Sequence, residues 1–160
     1  MVHEVITRRG CLIGGLAVAA SVGQEPRASW AQSDVIQSQD TNFGGIVGEI
    51  TQCKRKDGVL TIKLRLRNSS GKDAKLELID GRNFDSYYVT AKDKKYFVLR
   101  DTEGTPLTPQ ADGFGKLSVK IAKDGSYTWW AKYPAPPAEV SSVTSYTPLA
   151  APFEDLPVTD

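Results

Sequence analysis

The stretch Val59-Leu60-Thr61-Ile62-Lys63-Leu64-Arg65-Leu66-Arg67 decides the fold class. Leu60, Ile62, Leu64 and Leu66 alternate with Thr61, Lys63, Arg65 and Arg67, a period of two. On an extended chain the first set shares one face and the second shares the other, so one face packs while the other meets water. A helix would scatter the four aliphatic residues round its circumference. Immediately upstream, Asp57-Gly58 is the chemistry of a tight hairpin turn, and residues 46–54 supply the partner strand. Working outward, strands are expected at 75–79, 86–91, 96–100, 116–122, 126–133, 140–147 and 153–158, each bracketed by turn residues. Lys92-Asp93-Lys94-Lys95 joins two of them as a second hairpin, and Asp124-Gly125 turns the chain into 126–133. No segment carries a convincing amphipathic helix. Short strands at a spacing of roughly 10 to 12 residues point to an all-β fold, an immunoglobulin-like antiparallel β-sandwich of about 7 to 9 strands, with a small β-barrel as the alternative.

Residues 1–31 are expected to be a signal peptide. Basic Thr7-Arg8-Arg9 precedes an uncharged apolar run, 11–22, which is followed by polar Gln24-Glu25-Pro26-Arg27 and a small-residue site at Ser29 and Ala31. The run is too short to anchor the chain across a bilayer, which needs about 20 apolar residues. Thr7-Arg8-Arg9-Gly10-Cys11-Leu12-Ile13 resembles the twin-arginine export motif, departing from it at Cys11 and Ile13. The expected location is periplasmic or extracellular, with no stable membrane span after cleavage. Residues 32–44 form a polar lead-in and flexible tether, and 45–160 the sandwich domain.

Composition narrows the chemistry. The 160 residues carry 20 Lys+Arg, 19 Asp+Glu, one His and two Cys. The sole His, His3, and one cysteine, Cys11, fall in the expected signal. Beyond it remain 17 cationic and 17 anionic side chains, since Arg8, Arg9, Arg27, Glu4 and Glu25 are gone. Such a balanced chain offers no electrostatic case for nucleic acid. Without His there is no Ser-His-Asp triad and no His-bearing zinc site. Cys53, lacking a partner and a base, reads as a small apolar core residue. No cofactor is expected.

What remains are carboxylates and aromatics. Asp80 and Asp85 bracket one loop, Asp101 and Glu103 another; oxygen ligands so spaced are weak calcium candidates, although turns need the same residues for their backbone geometry. Tyr87-Tyr88, Trp129-Trp130 and Tyr133 concentrate on two strands, where one member of each adjacent pair faces in and the other out. Exposed rings on a rigid sheet anchor a partner or stack on a sugar. The expected binding face carries Tyr88, Arg100, Trp129 or Trp130, and Tyr133. Six of nine prolines lie beyond residue 133, which places the last two strands at a sheet edge.

Tyr96-Phe97-Val98-Leu99-Arg100-Asp101, Trp130-Ala131-Lys132-Tyr133-Pro134-Ala135-Pro136-Pro137 and Pro152-Phe153-Glu154-Asp155-Leu156-Pro157-Val158 resemble segments of small bacterial exported domains of uncharacterised function with an immunoglobulin-like sandwich. The resemblance covers roughly 46–158, implies fold and compartment, and assigns no catalytic residue. The leading functional expectation is a non-catalytic exported domain binding a protein or a cell-envelope component. A carbohydrate-binding module using the same aromatics, and a carboxylate- or calcium-dependent enzyme, are the alternatives.

Overall fold

The computed structural model describes residues 35–160. The expected signal peptide and the start of the lead-in lie outside the described residues. Ten strands follow in order: β1 (Gln37–Asp40), β2 (Ile46–Lys56), β3 (Val59–Asn68), β4 (Ala74–Ile79), β5 (Tyr88–Ala91), β6 (Lys94–Phe97), β7 (Leu117–Ile121), β8 (Ser126–Pro134), β9 (Ser142–Tyr146) and β10 (Phe153–Pro157). They form an antiparallel all-β sandwich. One sheet runs β1-β2-β3-β8, the other β10-β9-β5-β6, and β4 with β7 makes a separate two-stranded ribbon. Neither four-stranded sheet closes into a barrel. No described helix is long and apolar enough to cross a membrane.

The β2–β3 hairpin forms as the alternation dictates. Asp57 and Gly58 adopt φ of 51° and 76°, the left-handed pair that matches strand twist in a two-residue turn. Leu60, Ile62, Leu64 and Leu66 are buried, and so are Ile50 and Cys53, opposite Leu64 and Ile62, and Ile46, opposite Asn68. The second sheet contributes Val89, Ala91, Val143, Phe153 and Leu156 to the same core, and the ribbon contributes Leu76, Leu78 and Ile121. At the end of β3 the buried Asn68 amide donates to the carbonyls of Lys72, Ile121 and Ala122, tying the hairpin to β7.

Four expectations need correction. Gln37–Asp40, placed in the flexible lead-in, is an edge strand paired to β2; its residues are all polar and carry no apolar period-two signal, and backbone pairing to β2 together with the Gln39 amide donating to the Pro152 carbonyl holds it in place. The second hairpin turns on Lys92-Asp93 alone, with Lys92 at φ 52°, so β6 runs two residues earlier than 96–100. Leu99 then leaves the sheet to donate to the Lys132 carbonyl on β8. Residues 84–86 are a 3-10 turn, and β5 begins only at Tyr88. Finally, β10 is an edge but β9 is interior, between β10 and β5. Pro148, Pro152 and Pro157 flank or end β10 and leave β9 free of proline, so only β10 is forced to the edge.

Candidate functional site

Strand alternation assigns each aromatic of the expected face. Trp129, Ala131 and Tyr133 point inward from β8 and are buried, so Trp129 and Tyr133 belong to the core and present no surface. Trp129 stacks on Tyr87 with ring centroids 4.5 Å apart, a contact that joins β8 to the segment entering β5. The Tyr87 hydroxyl donates to the Leu78 carbonyl, which satisfies its buried polar end. Burial pushes the hydroxyl pKa values of Tyr87 and Tyr133 up, so both stay neutral. Tyr88 and Trp130 do face outward, each half-buried, but from different sheets. Arg100 lies on a loop. The expected residues therefore do not form one face.

Around Tyr88 the register builds a cross-strand row of rings. Tyr88 on β5 sits opposite Phe97 on β6 and Tyr146 on β9. The Tyr88 and Tyr146 rings stack at 4.5 Å and 11°, and Phe97 lies 6.2 Å away, tilted at 51°. The Lys95 ammonium, on the next residue row of β6, stands 4.4 Å from the Tyr88 ring centre. Because β6 and β9 flank β5 on opposite sides, Tyr88 is held between a ring and a cation. Phe97 is 47% exposed and terminates the row at a sheet edge. Phe97 and Tyr146 were not expected here; nothing local in the sequence announces the β5–β9 pairing that brings them to Tyr88.

The outer face of the other sheet is different in kind. Trp130 on β8 stands opposite Lys63 on β3, which stands opposite Gln52 on β2. The adjoining row is Lys54, Thr61 and Lys132, and the next is Glu49, Arg65 and Thr128. Glu49 is buried although it faces outward, because Arg65 and Arg67 close over it; their Nε atoms donate to its two carboxylate oxygens at 2.6 and 2.8 Å. Burial raises the carboxyl pKa, but hydrogen bonds from Arg67 and Arg65 and their positive charge outweigh it, so Glu49 is held below the usual carboxylate range.

The carboxylate loops serve their own turns. Asp101 Oδ1 accepts the backbone N–H groups of Glu103 and Thr105 at 2.9 and 2.8 Å, an Asx-type turn. Asp80 lies 3.4 Å from the Lys116 ammonium, and Asp85 lies 3.8 Å from Arg100. Arg100 also donates to the Gly104 carbonyl at 3.1 Å and lines, with Arg82, Glu103, Gln110 and Asp112, an open cleft of about 300 Å³. Among the described residues no three His, Cys, Asp or Glu side chains converge as metal ligands. Cys53 is buried in the core, and burial pushes its thiol up to about 12, so it is not the thiolate that nucleophilic chemistry requires. No known family model matches the chain, and no solved structure matches it.

Proposed function

We propose that this chain is an exported, non-catalytic, immunoglobulin-like domain that binds a protein partner through the Phe97–Tyr88–Tyr146 row. The observation that carries the reading is that row itself, an aromatic strip assembled across three strands and ending in a half-exposed Phe at a sheet edge. Interfaces concentrate rings of this kind, because they supply large rigid contact area at low entropic cost. Sugar recognition by Tyr88 is disfavoured, since Tyr146 and Lys95 already occupy the ring faces that a pyranose would need. Export is supported by the Arg8-Arg9 pair and the uncharged run at 11–22. The immunoglobulin-like reading is supported by strand order. Taking β2, β3, β5, β6, β8, β9 and β10 as A, B, C, C′, E, F and G gives A-B-E in one sheet and G-F-C-C′ in the other.

Cell fractionation tests the compartment: recovery of the chain in the cytoplasm alone would refute export. For the interface, a photo-crosslinker placed at residue 97 in living cells should join the chain to one discrete protein, and the same probe at Lys123 should not. Once purified, that protein should bind the wild-type chain and lose about tenfold or more in affinity against Phe97→Ser, the usual cost of truncating a central anchor. Equal crosslinking from both positions, or unchanged affinity, would refute the assigned face.

A further inference from the structure

We propose that the outer face of the β1-β2-β3-β8 sheet binds a linear polyanionic glycan, with Trp130 as the ring platform and Lys63, Lys132 and Lys54 holding carboxylate or sulfate groups. This surface lies on the opposite side of the sandwich from the aromatic row and stands independently of it. Its charge is local. The chain as a whole carries +1, yet this face holds Lys54, Lys63, Arg65, Arg67 and Lys132 against Glu49 and, on the edge strand, Asp40. Glu49 neutralises part of the arginine charge at one end. Lys63 and Lys132 are exposed and make no ion pair among the described residues, so their charge is unspent. Both adjoin Trp130: Lys63 is its cross-strand partner and Lys132 lies two residues along the same strand.

Spacing suits an extended polymer. Same-face residues repeat about every 6.8 Å along a strand, and neighbouring strands lie about 4.8 Å apart, so the cations form a flat lattice. Thr61, Thr128 and Gln52 fill the positions between them with hydroxyl and amide groups suited to sugar hydroxyls. Trp130 is half-buried on this face, which leaves part of its ring for a sugar to stack on. A lipid surface is a poorer match, because no apolar side chain on this face extends far enough to insert. Single-stranded nucleic acid is poorer too, since its grooves stack successive bases on several aromatics, whereas this face has one. Both arginines are committed to Glu49, and the remaining lysines act as point charges that suit scattered carboxylates or sulfates.

The test is titration of the purified chain with a polyuronate and a sulfated glycan, with a neutral glucan and single-stranded DNA of matched length as comparators. Binding to one of the two acidic glycans is expected, and it should weaken as salt is raised from about 50 to about 500 mM. Trp130→Ala should cost about tenfold in affinity, and the double variant Lys63→Gln, Lys132→Gln at least as much, while Lys123→Gln should leave affinity unchanged. The lysine variants alter only exposed side chains, so they keep the test valid if the tryptophan variant folds poorly. Absence of binding to both acidic glycans overturns the proposal. So do tighter binding to DNA, equal binding to the neutral glucan, and an affinity indifferent to all three substitutions.

Discussion

Substituting Glu49→Gln separates the charge of the buried carboxylate from its shape. In the wild-type chain the Glu49 side chain is 7% exposed, and the Arg65 and Arg67 side chains that grip it are 27% and 46% exposed. Removing one member of a fully buried pair costs about 3–5 kcal/mol, because the other charge is stranded. Here the stranded groups are guanidiniums that keep access to water, and the amide oxygen of Gln still accepts one of the two hydrogen bonds. The loss is therefore nearer the value of one charge-assisted hydrogen bond, about 2 kcal/mol at pH 7. The pH dependence gives a second, sharper reading. Glu49 has a folded pKa below its unfolded value, so its contribution is complete above the unfolded pKa and is lost as pH falls through the folded one. The Gln variant has no such titration. Its deficit should hold steady from about pH 7 to about pH 5 and shrink below about pH 4. Arg55 likewise depresses the Asp160 carboxyl, but that titration is common to both chains and cancels in the difference. Urea melts of both proteins across this range measure the effect. A deficit under about 0.5 kcal/mol, or one that does not change with pH, would refute the claim that this carboxylate is ionised and structurally bound.

Three further outcomes follow from the packing. Trp129→Ala should lose about 3–5 kcal/mol in a denaturant melt because it empties the core and ends the Tyr87 stack, whereas Trp130→Ala should lose roughly 1 kcal/mol or less. Gly45→Ala should cost about 2 kcal/mol or more by thermal melt, since Gly45 sits at φ +77° and a Cβ there would lie 2.6 Å from the Ser70 Cα. Cys53 should react with an aromatic disulfide reagent only as fast as the domain opens, so its labelling rate should rise steeply with urea; immediate labelling of the native protein would contradict its burial.

How much of this was legible in the sequence depends on the range of the cause. Alternation is local, so the 59–67 strand, its Asp57-Gly58 turn and the inward Tyr87 and outward Tyr88 were readable from a few neighbouring residues. The same rule says that one of Trp129 and Trp130 faces out, but not which. That choice depends on β8 lying beside β3, about 60 residues away in the chain, with Leu64 opposite Trp129 and Lys63 opposite Trp130. Alternation also cannot say which sheet a strand joins. Tyr88 and one of Trp129 and Trp130 were expected on a single exposed face; Tyr88 and Trp130 do point outward, yet they lie on opposite sides of the sandwich. Proline content predicted an edge and found β10, but it assigned β9 wrongly because a proline constrains only its own strand. β1 was missed for the complementary reason. Its pairing is carried by backbone groups, which every sequence has, and not by side chains, which alone the sequence distinguishes.

The same distinction bears on function. A site made of sequence-adjacent residues, such as a metal-binding loop, declares itself in the chain, and the loops at Asp80 and Asp101 looked like one for that reason. In the fold those carboxylates hold turns or meet lysine and arginine. The surfaces with distinctive chemistry are instead assembled across strands: Phe97, Tyr88 and Tyr146 come from three, and Gln52, Lys63 and Trp130 from three others. No two members of either trio lie within eight residues of each other in the chain. A flat sheet face recognises through such rows, where the register sets which side chains meet and the roughly 4.8 Å strand spacing sets how far apart they stand. A one-residue slip of β8 against β3 would put Trp130 in the core and Trp129 on the cationic face. The burial of Trp129 against Tyr87 fixes that register, so the residue removed from the expected site is the one that keeps Trp130 beside Lys63.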